Sequence, residues 1–342
     1  MNTENLVFQQ SYLPEGQLLS LPRNREWMSS LPNLEKAMHM GIILEGIATL
    51  CDRDMYLHID LPSIPDAVAV IPPKEAIYSL TDTPVKDIAI LTRVGKAVCF
   101  KVTDIKHIDG KPYITLSRRL AQADCAANHL TGLYPGDIIP ARVTHMESFG
   151  AFLDVGCGIS SLLPLDAVSV SRISHPRDRL YNGQNVKAVV KAIERSASGL
   201  PQRIFLSMRE LLGTWEENAA RFSAGQTVSG IIRSVEEYGM FVELTPNLAG
   251  LAEHKEAYGG NDADVKALAK HYIGRRAAVF IKSILPERMK IKLVLIDTYA
   301  EESIAPPPLS YYLPKDGSTH LDRWLYSPKG AKKQIESVFT AG

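Results

Sequence analysis

A stretch of this chain comes back about ninety residues later. YPGDIIPARVTHMESFGAFLDVG from Tyr134 aligns with SAGQTVSGIIRSVEEYGMFVELTP from Ser223, and Gly136 and Gly225 are 89 residues apart. Further on, GQNVKAVVKAI from Gly183 aligns with GRRAAVFIKSI from Gly274, an offset of 91. QRIFLS from Gln202 and MKIKLV from Met289 close the two copies. A weaker third copy lies upstream, beginning at GIILEGIATLCDRDMYLHID from Gly41 and ending in PYITLSRRL. A sequence that repeats at a fixed interval is built from one structural unit used several times. The units are expected over residues 37–119, 134–211 and 222–297, with an N-terminal extension over 1–36 and a Pro-rich, basic tail over 298–342.

Each unit reads as β. IPARVTHM, AFLDV, NVKAVVKAI and RIFLS are short, rich in β-branched residues and bounded by Gly, Pro, Asp or Asn. Five such strands, with a long excursion before the fourth, predict a small Greek-key barrel of the OB type. The fold class is therefore all-β: tandem five-stranded barrels with short helical linkers. In AFLDV, alternation sends Ala151, Leu153 and Val155 into the core and Phe152 and Asp154 outward. In the third unit Met240, Val242 and Leu244 face in, and Phe241 and Glu243 face out. RRLAQADCAANHLT from Arg118 predicts a helical linker. So does the segment after Gly213, where Thr214 and Glu217 have capping-box spacing and Trp215 is expected to dock on a neighbouring barrel. Ala263–Tyr272 has helical composition, YSPKGAKKQIESVF predicts a short basic terminal helix, and the two ends are expected to pack on the barrels.

Composition narrows the function. Lys+Arg 38 against Asp+Glu 38 leaves no net charge, so any nucleic-acid contact must come from local patches. Cys51, Cys99, Cys125 and Cys157 form no CxxC pair, and reduced thiols in a cytosolic protein are expected. The segment MNTENLVFQQ lacks a basic region followed by an apolar run, and no stretch reaches the ~20 apolar residues of a membrane span, so a cytoplasmic protein without a membrane partner is expected. The 9 His show no metal-ligand spacing, and the chain contains no Walker A loop, HExxH or GxSxG. Neither an enzyme, a metal, a cofactor nor a small-molecule substrate is expected.

The aromatic residues carry more information. Phe152 shares its outward face with an acid, and the third unit repeats this at Phe241. Phe149 and Tyr238 add a second ring just before the hairpin glycine of each unit. Rings on an OB surface can stack on unpaired bases of any sequence, and basic residues of both units can add phosphate contacts.

FGAFLDVG, the SHPRD segment and the GQxV strand together resemble the S1 RNA-binding domain, named for bacterial small-subunit ribosomal protein S1. The overall layout is similar to that of the short, few-repeat S1 homologues. The resemblance covers 134–211 best, then 222–297, then 37–119, and neither end. That family's RNA face carries two aromatics, a His, an acid and a basic residue. By resemblance Phe149 and Phe152 take the aromatic places of the second unit, Glu194 the acid's and Arg203 the basic one, while Pro164 stands in the place of the His. In the third unit Tyr238 and Phe241 are the aromatics, Glu253 stands in the His place, and Glu287 and Lys290 match the last pair. In the first unit Arg53 replaces the first aromatic, Tyr56 the second, and Asp109 lies at the acid's place. The resemblance implies binding of single-stranded RNA or mRNA, in translation at the small ribosomal subunit. Two other readings stay open: a protein–protein adaptor, and a regulator that binds RNA away from the ribosome.

Overall fold

The computed structural model describes residues 12–79, 86–253, 271–299, 306 and 308–339. Two short helices, α1 (Pro22–Trp27) and α2 (Leu31–Met40), precede the first barrel. That barrel is built from β1 (Leu44–Cys51), β2 (Leu57–Ile59), β3 (Val68–Ile71), β4 (Ala97–Ile108) and β5 (Lys111–Ser117), with helix α3 (Asp87–Leu91) before β4. Helix α4 (Arg118–Asn128) leads to the second: β6 (Ile138–Glu147), β7 (Gly150–Asp154), β8 (Ser160–Pro164), β9 (Asn185–Arg195) and β10 (Pro201–Ser207). Helix α5 (Trp215–Ala219) leads to the third: β11 (Thr227–Glu236), β12 (Gly239–Thr245), β13 (Leu248–Glu253), β14 (Arg276–Leu285) and β15 (Lys290–Tyr299). A small hairpin follows, β16 (Arg323–Leu325) with β17 (Glu336–Val338).

All three barrels close in the same way. The first three strands meander, the fifth runs parallel to the third, and the fourth seals the gap between the fifth and the first. This is the OB topology. Each first strand also carries a bulge at the same place, between Ala48 and Leu50, Val143 and His145, and Ile232 and Ser234. A bulge bends its strand and tightens the local twist, which a strand shared by both edges of a small closed barrel needs. These shared bulges align the barrels residue by residue.

The inward set follows from alternation. Ala151, Leu153, Val155, Met240 and Val242 are all buried in barrel cores. Leu244, expected inside, is only half-buried because a second bulge between Glu243 and Thr245 reverses the alternation. The linkers fold as local chemistry dictates. Ser117 caps α4 by accepting the Leu120 N–H at 2.9 Å. Thr214 and Glu217 cap α5 reciprocally, at 3.1 and 2.8 Å, and Trp215 enters the core of the third barrel.

The described parts of both ends pack on the barrels. Pro14 and Glu15 are buried beside the second barrel, and Leu18 joins its core. Ile138 donates its N–H to Thr319 O at 2.7 Å, while Trp324 and Tyr326 join the third core. No helix forms over Tyr326–Phe339: Pro328 and Gly330 (φ 86) turn the chain there, so that the Tyr326 N–H meets Ile335 O at 2.9 Å and β17 returns along β16. The helical expectation over Ala263–Tyr272 lies outside the described residues except for its last two.

Candidate nucleic-acid interface

The β6–β7 hairpin positions the first pair of rings. Gly150 opens β7, and a Cβ there would lie 2.5 Å from the Leu163 carbonyl oxygen on β8. Gly239 is under the same constraint from Ala252 O, at 2.2 Å and with φ 152. A residue without a side chain lets the third strand close in, and it separates the ring before it from the ring two residues after it. Phe149 is 58% exposed and meets the half-buried Phe152 edge to face, with centroids 6.0 Å apart at 89°. Tyr238 is 57% exposed and meets Phe241 in the same way, at 6.1 Å and 90°. Edge-to-face contact leaves a face of each outer ring free to take another flat group.

The surroundings of the two pairs differ. In the second barrel His145, directly opposite Phe152 across the β6–β7 ladder, stacks on it at 6.3 Å and 22°. His145 Nε2 lies 2.6 Å from Glu147 Oε1. In the third barrel Ser234 holds the position of His145, so the residue opposite Phe241 on the ladder offers it no ring. Glu194 and Arg203 face each other across β9 and β10, both exposed, with a closest approach of 3.7 Å. Lys290 is exposed at the start of β15, whereas Lys292 reaches Glu253 at 3.4 Å. The structure thus places Glu253 against a cation of its own barrel.

Beyond each ring pair the outer face is covered. Asp154 and Glu243, expected to face solvent, do point to the outer side, but both are buried. The N-terminal segment lies over Asp154: its Oδ2 accepts the Glu15 N–H at 2.6 Å, and its Oδ1 accepts the N–H groups of Gly156 and Gly158 at 2.8 and 3.0 Å. Burial, reinforced by the nearby Glu15 carboxylate, pushes the Asp154 carboxyl up to about 7. Glu15 is itself clamped by Arg118 at 2.7 and 2.9 Å. Burial works against its charge, yet Arg118 holds it below the usual carboxylate range. Over Glu243 lies the loop before β9, whose fully buried Arg179 bonds to it, and Arg233 adds a bond at 2.8 Å.

The first barrel has no ring pair at these positions. Its bulge and ladder place His58, not Tyr56, at the position of Phe152 and Phe241, and Met55 at that of Phe149 and Tyr238. Tyr56 stands where the other barrels have the hairpin glycine, and the β2 ladder begins only at Leu57. Arg53 is exposed in the loop before it, and Asp109 forms a turn with Gly110, φ 51 and 79. The assignments of Tyr56, Arg53 and Asp109 by resemblance are corrected accordingly, because the ladder fixes which residues are equivalent. His58 bonds to Asp52 at 3.0 Å, and Leu50 takes the position of His145.

Sequence reasoning overlooked His145, Leu162 and Phe205 in the second barrel. Alternation through RIFLS would have turned Phe205 outward, but His145 and Leu162 become neighbours of Phe152 only through the ladder. Among the described residues no group of three or more His, Cys, Asp or Glu is placed to hold a metal ion, and no helix is long and apolar enough to cross a membrane.

Comparison with known families places the second barrel. Residues 133–209 match the profile described as S1 RNA binding domain. The second barrel is an S1 domain. The chain is 29% identical over 171 residues to the small ribosomal subunit protein bS1 homolog of Bacillus cereus, covering 46% of this chain and 44% of the relative. It is 29% identical over 210 residues to the small ribosomal subunit protein bS1 of Staphylococcus haemolyticus, covering 56% of this chain and 52% of that one. The chain spans about half the length of these curated relatives. A crystal structure of a multidomain protein with nucleic acid binding domains from Streptococcus pneumoniae overlaps 75% of this chain and 74% of its own, at 14% identity and a TM-score of 0.22.

Proposed function

We propose that this protein binds single-stranded RNA through the ring-bearing ends of its second and third barrels, and that it does so on mRNA at the small ribosomal subunit. The observation that carries the reading is the duplicated edge-to-face pair, Phe149 with Phe152 and Tyr238 with Phe241, whose outer rings are more than half exposed. The same exposed ring recurs at equivalent places of two barrels, each with a face onto which a flat group can lie. Each stack contributes ~1–3 kcal/mol and tolerates any base. Arg203 and Lys290 supply charge beside the rings, and Glu194 tempers it. The mechanism is binding alone; no cofactor and no chemical step enters it.

The test is a titration of an unstructured, fluorescently labelled RNA. Phe152→Ala combined with Phe241→Ala weakens binding by about tenfold or more. An unchanged isotherm refutes the reading. The ribosomal part is tested separately by sedimentation: the protein travels with small subunits in cell extracts and leaves them when both rings are lost. A protein that binds RNA but stays at the top of the gradient is a regulator acting away from the ribosome. One observation supports an additional adaptor role for the first barrel, which carries Met55 and His58 in place of the rings. Partners held by that barrel survive RNase treatment before a pull-down.

A further inference from the structure

The ladder of the second barrel places one more ring on the face that carries Phe152. Phe205 lies in β10 between Ile204 and Leu206, both in the core at 3% and 0% exposure, so alternation turns its side chain outward. It pairs in parallel with Leu162 of β8, and Leu162 pairs with Phe152 of β7. Phe152 is opposite His145 of β6, and Phe205 is opposite Ala192 of β9. A single row therefore crosses all five strands of the barrel on its outer side. Its middle three members, Phe152, Leu162 and Phe205, are half-buried. Two strand spacings, roughly 9.5 Å, separate the two phenylalanines, with the leucine as an apolar floor between them. Arg203 lies two residues before Phe205 on the same strand and the same face, and it is exposed.

We propose that Phe205 is a second stacking subsite on this barrel. It takes an unpaired nucleobase from the same strand whose neighbouring base lies on Phe152, and Arg203 contacts the phosphate beside it. This inference rests on the RNA-binding reading above. The third barrel cannot offer the same subsite. Its equivalent row runs Ser234, Phe241, Leu251 and Lys292, so a lysine paired to Glu253 replaces the ring. The second barrel is thus the longer site and the third the shorter one. A flat apolar floor bounded by two rings suits a base; a lysine held by a carboxylate does not.

The experiment uses the full chain and short single-stranded RNAs of increasing length, titrated by fluorescence anisotropy. Phe205→Ala weakens binding on the order of 5- to 100-fold, leaves the salt dependence unchanged and shortens the RNA needed for full affinity. Phe205→Leu weakens it comparably, because leucine keeps the packing but has no π-face, while Phe205→Tyr restores it. A purely structural role for Phe205 predicts that leucine rescues, and that result overturns the proposal. Lys292→Phe tests it from the other side by building the subsite into the third barrel, and it tightens binding. If Phe205→Ala binds like the unaltered protein while Phe152→Ala is impaired, the subsite is refuted and RNA binding stands. If Phe152→Ala combined with Phe241→Ala has no effect either, the broader reading falls, and this one with it.

Discussion

Asp154 of the second barrel and Glu243 of the third hold the same position, two residues past the outward phenylalanine, and both are buried. They are held in opposite ways. Asp154 is covered by the N-terminal segment, takes three backbone N–H bonds and lies beside another carboxylate, Glu15. Glu243 lies between two arginines, one from its own barrel and one, Arg179, from the second. The difference teaches how one barrel face is divided. The ring end stays open, and the acid end is used to attach a segment from earlier in the chain. At the first attachment the shared acid itself meets backbone dipoles, and the arginine there, Arg118, holds the neighbouring Glu15; at the second the shared acid is itself a member of a buried ion pair.

The ion-pair junction is broken most severely by Glu243→Ala. Arg179 is left buried without its carboxylate, which costs about 3–5 kcal/mol. The unfolding midpoint in urea falls accordingly, and a value near that of the unaltered protein contradicts this account of the junction. The dipole junction is sharpened by pH. Asp154 and Glu45 are both pushed up to about 7, by burial first, and Glu45 also accepts N–H bonds from Gly16 and Leu19 of the same segment. Their folded values lie above their unfolded ones, so the folded state binds more protons between about pH 4 and 7. Stability from these two groups therefore falls as pH rises through that window. Protection of the segment's amides against hydrogen exchange, corrected for intrinsic rates, is lower at pH 8 than at pH 5, and the second junction shows no matching loss.

The open ends are compared next. Phe152→Ala weakens RNA binding more than Phe241→Ala, by about 3-fold or more, because among the described residues Phe152 has a stacked histidine beside it and Phe241 does not. Equal losses measured by titration mean that His145 contributes nothing. The smallest effect is expected from Glu253→Gln. It removes a carboxylate from the third barrel and frees Lys292, which lies 3.4 Å away. An exposed pair of this kind is worth ~0–1 kcal/mol, so RNA binding tightens by at most about 5-fold, with a steeper salt dependence.

Where the sequence was readable, the reason is locality. Ala151, Leu153 and Val155 alternate within one strand, and Thr214 and Glu217 cap a helix three residues away, so each inference needs only its own neighbourhood. The inferences that failed depended on partners. Leu244 was read as core because the bulge at Glu243 exists only against β13. The resemblance puts Tyr56 in the place of a phenylalanine, and only the β1–β2 ladder shows His58 there. Asp154 and Glu243 were expected in water, since the groups that cover them, Glu15 and Arg179, stand 139 and 64 residues away. The terminal helix was read from composition, and Pro328 and Gly330 turn that segment into a hairpin arm instead.

By itself the sequence determined the repeated β unit, its inward residues and the recurring ring–glycine–ring hairpin. These follow from short-range periodicity and from turn chemistry, which a chain carries wherever it goes. Only the tertiary structure decided which residues share a row, which acids are sealed beneath neighbouring segments, and which barrel presents rings at all. Those properties belong to strands brought together from distant parts of the chain, and a one-residue shift in pairing moves every side chain to the opposite face.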